Sequence, residues 1–291
     1  MRRLISLVLC LMLVLPAALA EEPATFFEDA EAQKFGKITR TYDSPTLKYT
    51  IEKFVLEREI AYLTRVWVQE PGRQIRKATS VWKKNVKTPK TIAAQIENAA
   101  LAINGSGFIS TTYPWIPENY PGKNEDYYYT PLGSLTVTDG EVLRNLEGVS
   151  YYGLTLDRDG LQMYVDADNA EVLATGPVQT WSFYIGCPTL LNNEDILPAD
   201  WEFADIRAAR NMIGRVDRNN YLILTVTQER GKGISLRKGA DFFREHFSTE
   251  WVYNLDGGKS IALLSRKRDK KHPIEIAWGG ASIVDIMAFT E

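Results

Sequence analysis

Three Asp-Gly pairs, Asp139-Gly140, Asp159-Gly160 and Asp256-Gly257, each stand between short apolar runs, and this punctuation constrains the fold more than any other feature. Asp and Gly accept the positive φ angles of a tight turn, so each pair marks where one strand stops and the next begins. Ser134 to Val137 and Val142 to Arg144 flank the first pair, and Tyr151 to Leu156 and Leu161 to Val165 flank the second. Trp251 to Leu255 and Ser260 to Ser265 flank the third. Similar runs occur at Tyr49 to Leu56, at Ala61 to Val68, and at Asn211 to Val216 and Tyr221 to Thr227 about an Asp-Arg-Asn-Asn turn. Gln179 to Gly186, Pro188 to Leu191 and a final run from Ser282 to Phe289 complete the set. Helical signals are fewer. Thr88-Pro89 is a cap with proline at the first helical position, followed by Ile92, Ile96 and Ala99-Ala100 at helical spacing. Ser235 caps a second helix, with Leu236, Gly239-Ala240, Phe243 and Phe247 on one face. The pattern predicts an α+β fold, a single compact domain of many short, mostly antiparallel strands with a few helices.

The start of the chain is of a different kind. Met1-Arg-Arg leads into an apolar run from Leu4 to Leu15, then Pro16 and Ala17-Ala18-Leu19-Ala20 before Glu21-Glu22. A basic start, a short apolar core and small residues at a cleavage site predict a signal peptide over residues 1–20. The core is short for a membrane span, so none is expected after cleavage, and the mature protein is expected to be secreted, periplasmic or in the cell envelope. Residues 21–45 are polar and acidic and read as a mobile lead-in, which leaves 46–291 for the folded domain.

Composition narrows the chemistry. Thirty-four basic residues against 37 acidic ones give no bias toward nucleic acid. With the signal removed, Cys187 is the lone cysteine, so no intrachain disulfide supports the fold. His246 and His272 are the only histidines, and neither has a partner motif for nucleophilic catalysis or zinc. Carboxylates, arginines and amides remain. The segment from Ser110 to Tyr129, rich in Tyr, Pro and Asn, suits either a packed loop or a sugar-stacking lid.

Three glycine-bearing pieces occur in order: Asn104-Gly-Ser-Gly-Phe108, Arg210-Asn-Met-Ile-Gly214 and Asn254-Leu-Asp-Gly-Gly258. The last is an ordinary hairpin turn on composition alone. Together with Gly233-Ile-Ser-Leu236 ahead of it, the set resembles the phosphodiester glycosidase family over roughly residues 93–289. The resemblance implies hydrolysis of the bond between a sugar's anomeric carbon and a phosphodiester, with a sugar-phosphate or polysaccharide as partner.

On that resemblance, Asp256 is the expected base or electrostatic stabiliser, and Arg210 the phosphate clamp, because a guanidinium matches phosphate oxygens. Arg210 is otherwise a surface ion-pair residue. Asn104 and Asn254 would orient sugar hydroxyls or Asp256, or simply form turns. Gly105, Gly257 and Gly258 would let the backbone approach substrate, with Ser260 beside them. Asp256 in an oxygen-rich loop also admits calcium without requiring it. Four departures from the family pattern stand out: Lys238 for an acidic residue, Val226-Thr227 for Asp-Gly, Lys259 for a third glycine and Ser282 for an arginine. They favour the alternative of a catalytically silent glycan- or glycophosphate-binding protein. A third reading is a structural envelope protein whose glycine turns only shape hairpins.

Overall fold

In the computed structural model the described residues are 33–108, 128–182, 187–266, 271 and 273–291. The signal-peptide expectation, most of the aromatic Ser110–Tyr129 segment, residues 183–186, most of the basic loop after Arg266 and His272 lie outside them. The strands in chain order begin with β1 (Lys37–Asp43), β2 (Leu47–Leu56), β3 (Glu59–Val68), β4 (Ile75–Thr79), β5 (Ala99–Asn104) and β6 (Leu135–Thr138). Next come β7 (Glu141–Asn145), β8 (Tyr151–Asp157), β9 (Gly160–Ala167), β10 (Gln179–Ser182), β11 (Pro188–Leu191) and β12 (Glu194–Asp195). The last are β13 (Arg210–Arg215), β14 (Asn220–Val226), β15 (Trp251–Asn254), β16 (Ala262–Ser265), β17 (Ile274–Trp278) and β18 (Asp285–Thr290).

They form three sheets. The largest has the order β1-β2-β3-β14-β13-β15-β11-β12, a second β7-β6-β10-β8-β9, and a third β17-β16-β5-β18-β4. Every pairing is antiparallel. One apolar core joins all three: Leu47, Ile51, Val66 and Ile223 from the first, Leu154 and Trp181 from the second, and Leu101, Ile103 and Phe289 from the third. Buried β-branched and aromatic side chains on facing sheets are what such strands offer.

The α+β expectation is therefore corrected to a mainly β fold. Among the described residues the α-helices are α1 (Pro71–Gln74), α2 (Pro89–Ala93), α3 (Asn169–Ala174) and α4 (Leu236–His246). Thr88 caps α2 as its sequence predicts, but the helix stops after one turn. Of the apolar residues that looked helical beyond it, Ile96 lies in the connecting turn and Ala99-Ala100 open β5, where all six residues are buried. A continuous apolar run covered on both faces carries no periodicity to tell strand from helix. α4 does form, capped by Ser235 Oγ, which accepts from Lys238 N at 3.2 Å. It lies on β13, where a Cβ on Gly214 would sit 3.0 Å from the Phe243 ring.

Two further expectations change. Lys37–Asp43, inside the presumed lead-in, is β1 and pairs with β2 at the sheet edge. The Asp256 turn is no hairpin: β15 pairs with β11 and β13, whereas β16 pairs with β5 and β17 in another sheet. The same turn residues serve a crossover between sheets. The other two Asp-Gly pairs do close hairpins, with Asp139 at φ 50°, Gly140 at 79° and Gly160 at 108°.

Candidate active site

The crossover after β15 brings Asp256 beside the start of β13. Because β13 and β15 run antiparallel, with Met212 opposite Asn254, the beginning of one strand and the exit of the other share one edge. Arg210 is the first residue of β13, and a pocket of about 420 Å³ opens between it and Asp256. Gly257, Gly258, Lys259 and Ser260 form one wall, and Phe108, Phe203 and Ile206 supply apolar surface.

Arg210 is only 3% exposed, yet among the described residues no carboxylate forms an ion pair with it. Its Nε donates to Ile234 O at 3.3 Å and its Nη2 to Ile206 O at 2.6 Å, while the guanidinium lies 5.5 Å from the Phe203 ring centre. Two carbonyls fix the orientation, and among the described residues Nη1 makes no hydrogen bond, which leaves its protons for a ligand. Burial lowers its pKa to about 10, still well above neutrality, with Asp256 acting in the opposite sense.

Asp256 is held by its main chain. Its N–H donates to Gly105 O at 3.0 Å, and its carbonyl accepts from Asn104 Nδ2 at 2.8 Å. The carboxylate accepts from Gly257 N at 2.8 Å and from Ser260. Burial raises its pKa to about 7; bonds from Ser260 and Gly257 oppose this, Asp285 adds to it and Arg210 subtracts. A carboxyl balanced near neutrality can both take and give a proton. Calcium does not fit this donor set, because among the described lining residues Asp256 is the single carboxylate and it shares the pocket with two cations, Arg210 and Lys259. Among the described residues no group of three or more His, Cys, Asp or Glu is arranged to hold a metal.

Of the residues singled out in the sequence, Arg210, Asp256, Gly257, Gly258 and Ser260 line the pocket, and Asn104, Gly105 and Asn254 sit behind it. Asn104 is fully committed: its Oδ1 accepts from Ala262 N and from Asn211 Nδ2, both at 2.8 Å. Asn211 in turn accepts from Thr225 Oγ1 at 3.0 Å, so a buried amide network underlies the Asp256 turn. Asn254 Nδ2 donates to Leu255 O at 2.7 Å beside Cys187, whose thiol burial keeps protonated. Gly257 allows a close approach, since a Cβ there would lie 2.7 Å from Ala209 O. Gly258, at φ 59°, takes a conformation that favours glycine. Lys259 is exposed at the pocket wall, whereas Lys238 pairs with Asp241 at 3.9 Å on α4 and is not among the lining residues.

The sequence reading missed Asn211, Phe203 and Ile206. Asn211 had a visible signal, a polar side chain inside an apolar strand immediately after Arg210. Ile206 and Phe203 had none, because they reach the pocket from a loop and a 3₁₀ turn. Replacing Asn104 with Ala would leave the Asp256 carbonyl, Ala262 N–H and Asn211 amide short of partners. We expect a loss of about 2–4 kcal/mol, read as a lower urea midpoint.

No curated protein matches the chain. Among solved structures, it is similar to the catalytic domain of zebrafish N-acetylglucosamine-1-phosphodiester alpha-N-acetylglucosaminidase, auto-inhibited by its pro-peptide. That similarity has a TM-score of 0.63 and 18% identity, covering 89% of this chain and 87% of the other. A hypothetical protein from Synechocystis aligns with a TM-score of 0.53 and 14% identity over 87% of this chain and 64% of its own. At these identities the likeness is one of fold. The phosphodiester glycosidase family model matches residues 97–284, a span that holds Asn104, Arg210 and Asp256, and the chain belongs to that family.

Proposed function

We propose that this chain is an exported hydrolase that cleaves the anomeric bond of a sugar-1-phosphodiester in envelope or extracellular glycans. The observation that carries the reading is the juxtaposition of Arg210 and Asp256 on one pocket. Neither forms an ion pair with the other among the described residues, so both charges remain available to a ligand. Export rests on the basic start and apolar run of residues 1–20. No helix among the described residues is long and apolar enough to cross a membrane.

The chemistry suits these two groups. Breaking the bond between the anomeric carbon and the phosphate oxygen turns a singly charged diester into a monoester with one more negative charge. That charge develops in the transition state, so Arg210 gains contact energy as the reaction proceeds. The leaving phosphate needs little protonation. The incoming water does have to lose a proton, and Asp256 in its ionised form takes it as the new carbon–oxygen bond forms. Phe203 and Phe108 line the pocket and give it apolar surface beside which a sugar ring can pack.

A panel of sugar-1-phosphodiesters with different sugars tests the reading. Release of free sugar and phosphomonoester is the expected result. Saturable binding with no release would indicate instead a glycophosphate-binding protein, and would direct attention to Lys259 on the pocket wall.

A further inference from the structure

A second charge pair, fully buried, lies behind the Asp256 turn and takes no part in the proposed chemistry. Lys77 Nζ on β4 and Asp285 Oδ2 on β18 are 3.4 Å apart, both side chains at 0% exposure. Lys77 also donates to Thr180 O at 2.6 Å and lies 5.8 Å from the Trp181 ring centre. Burying two charges costs several kcal/mol, and an apolar pair of similar volume is often at least as stable. Packing alone gives no reason for the pair.

Its remaining bonds show what it holds. Asp285 accepts from Ser106 N at 2.6 Å and from Ser106 Oγ at 2.9 Å, and its own carbonyl accepts from Gly105 N at 3.2 Å. Ser106 Oγ also accepts from Ser182 N at 3.1 Å, which ties the loop to β10. Gly105 is pressed against the carboxylate so closely that a Cβ would lie 2.2 Å from Asp285 Oδ1. Asn104 and Gly105 then bind the carbonyl and the N–H of Asp256. The Asp256 N–H therefore hangs on Gly105, which Asp285 holds, and its carbonyl hangs on Asn104, the last residue of β5 and the one before that turn.

We propose that Lys77 and Asp285 are positioning residues for Asp256, anchoring the Gly105–Ser106 turn after β5 to which the Asp256 N–H is tied. The proposal rests on the reading of Asp256 as the group that moves a proton. Asp285 also acts on Asp256 through space, raising its pKa, whereas Arg210 from β13 lowers it; the Cys187 thiol ahead of β11 is neutral. Lys77 is the ion-pair partner of Asp285.

The test combines two measurements that need no turnover with one that does. In the purified protein, the Asp256 carboxyl is titrated by carbon-13 NMR, its resonance identified by its loss in Asp256→Asn. In Asp285→Asn the midpoint is expected to fall by about half a unit or more, with the same sign whether Lys77 stays charged or gives up its proton. In Ser106→Ala both charges remain and the two Oγ ties, to Asp285 and from Ser182 N, are cut, so hydrogen exchange at the Asp256 amide is expected to speed up about tenfold, with the Leu222 amide in β14 unchanged. On a sugar-1-phosphodiester, kcat of Ser106→Ala should fall about tenfold with KM within about twofold, and Ser106→Thr should recover part of it. If Asp285→Asn does not fold, the Ser106 pair decides. An unchanged Asp256 midpoint, amide exchange rate and kcat in folded variants would overturn the proposal. A wild-type protein with no turnover but with the predicted shift or faster exchange would sink the functional reading and leave the positioning role standing.

Discussion

Replacing Asp256 with Asn is expected to lower turnover of a sugar-1-phosphodiester by about 10²–10⁴-fold while making the protein more stable above neutral pH. Both effects come from one cause. Burial holds the Asp256 pKa at about 7, above its ordinary value. Between those two values the folded chain binds more protons than the unfolded one, so stability falls as pH rises through that window. The contribution is most favourable below the ordinary value and is lost above about pH 7. Asn keeps an acceptor for Gly257 N and carries no charge to desolvate. Each kcal/mol recovered corresponds to about 2–4 °C in Tm for a chain of this size. Melting curves of both proteins at pH 5 and pH 8 check this, with the variant's advantage expected at pH 8. Lower stability of the variant at pH 8 would show that the carboxylate is paid for by its bonds after all.

Arg210→Lys is expected to cost about 10²–10³-fold in kcat/KM, and most of the loss should fall on kcat. The guanidinium spans Ile206 O, Ile234 O and the pocket at once, and a single ammonium on a flexible stem cannot. Because charge grows on the phosphate only as the bond breaks, the missing contact weakens the transition state more than the bound substrate. Steady-state kinetics with one phosphodiester at a saturating range of concentrations separates the two. A rise in KM with kcat intact would mean that Arg210 binds the diester equally in both states.

Much of the strand pattern was legible because it is local. β2, β3, β13 and β14 lie within two residues of where alternation and turn residues place them. What was not legible was which sheet each strand joins. Trp251-Val-Tyr-Asn and Ala262-Leu-Leu-Ser look like two arms of a hairpin, but their partners are 40 or more residues away in most cases. Long-range pairing of this kind is decided by which apolar faces meet, and the turn between the arms carries no record of it. Helix content was overestimated for a related reason: Ala99 and Ala100, read as the end of a helix, open β5, which is buried on both faces.

The candidate site divides in the same way. Asp256, its two glycines and Arg210 could be singled out as chemistry-bearing residues next to turns. Asn104 could be noticed, yet its burial against Asn211 and Ala262 depends on a sheet contact that no spacing reveals. Lys77 and Asp285 are 208 positions apart, and in the sequence each looks like an ordinary charged strand residue. Their meeting at 3.4 Å comes only from the antiparallel pairing of β4 with β18.

The central claim is that the bond broken joins carbon to oxygen, at the sugar, and not phosphorus to oxygen. Hydrolysis of a sugar-1-phosphodiester in water enriched in oxygen-18, followed by mass spectrometry of the released phosphomonoester, tests it most directly. The expected result is phosphomonoester free of the heavy isotope, with the label entering the sugar, and release slowed about 10²–10⁴-fold in Asp256→Asn. Heavy oxygen in the phosphate would mean attack at phosphorus, and would contradict the assignment of Asp256 and Arg210 to a glycosidic reaction.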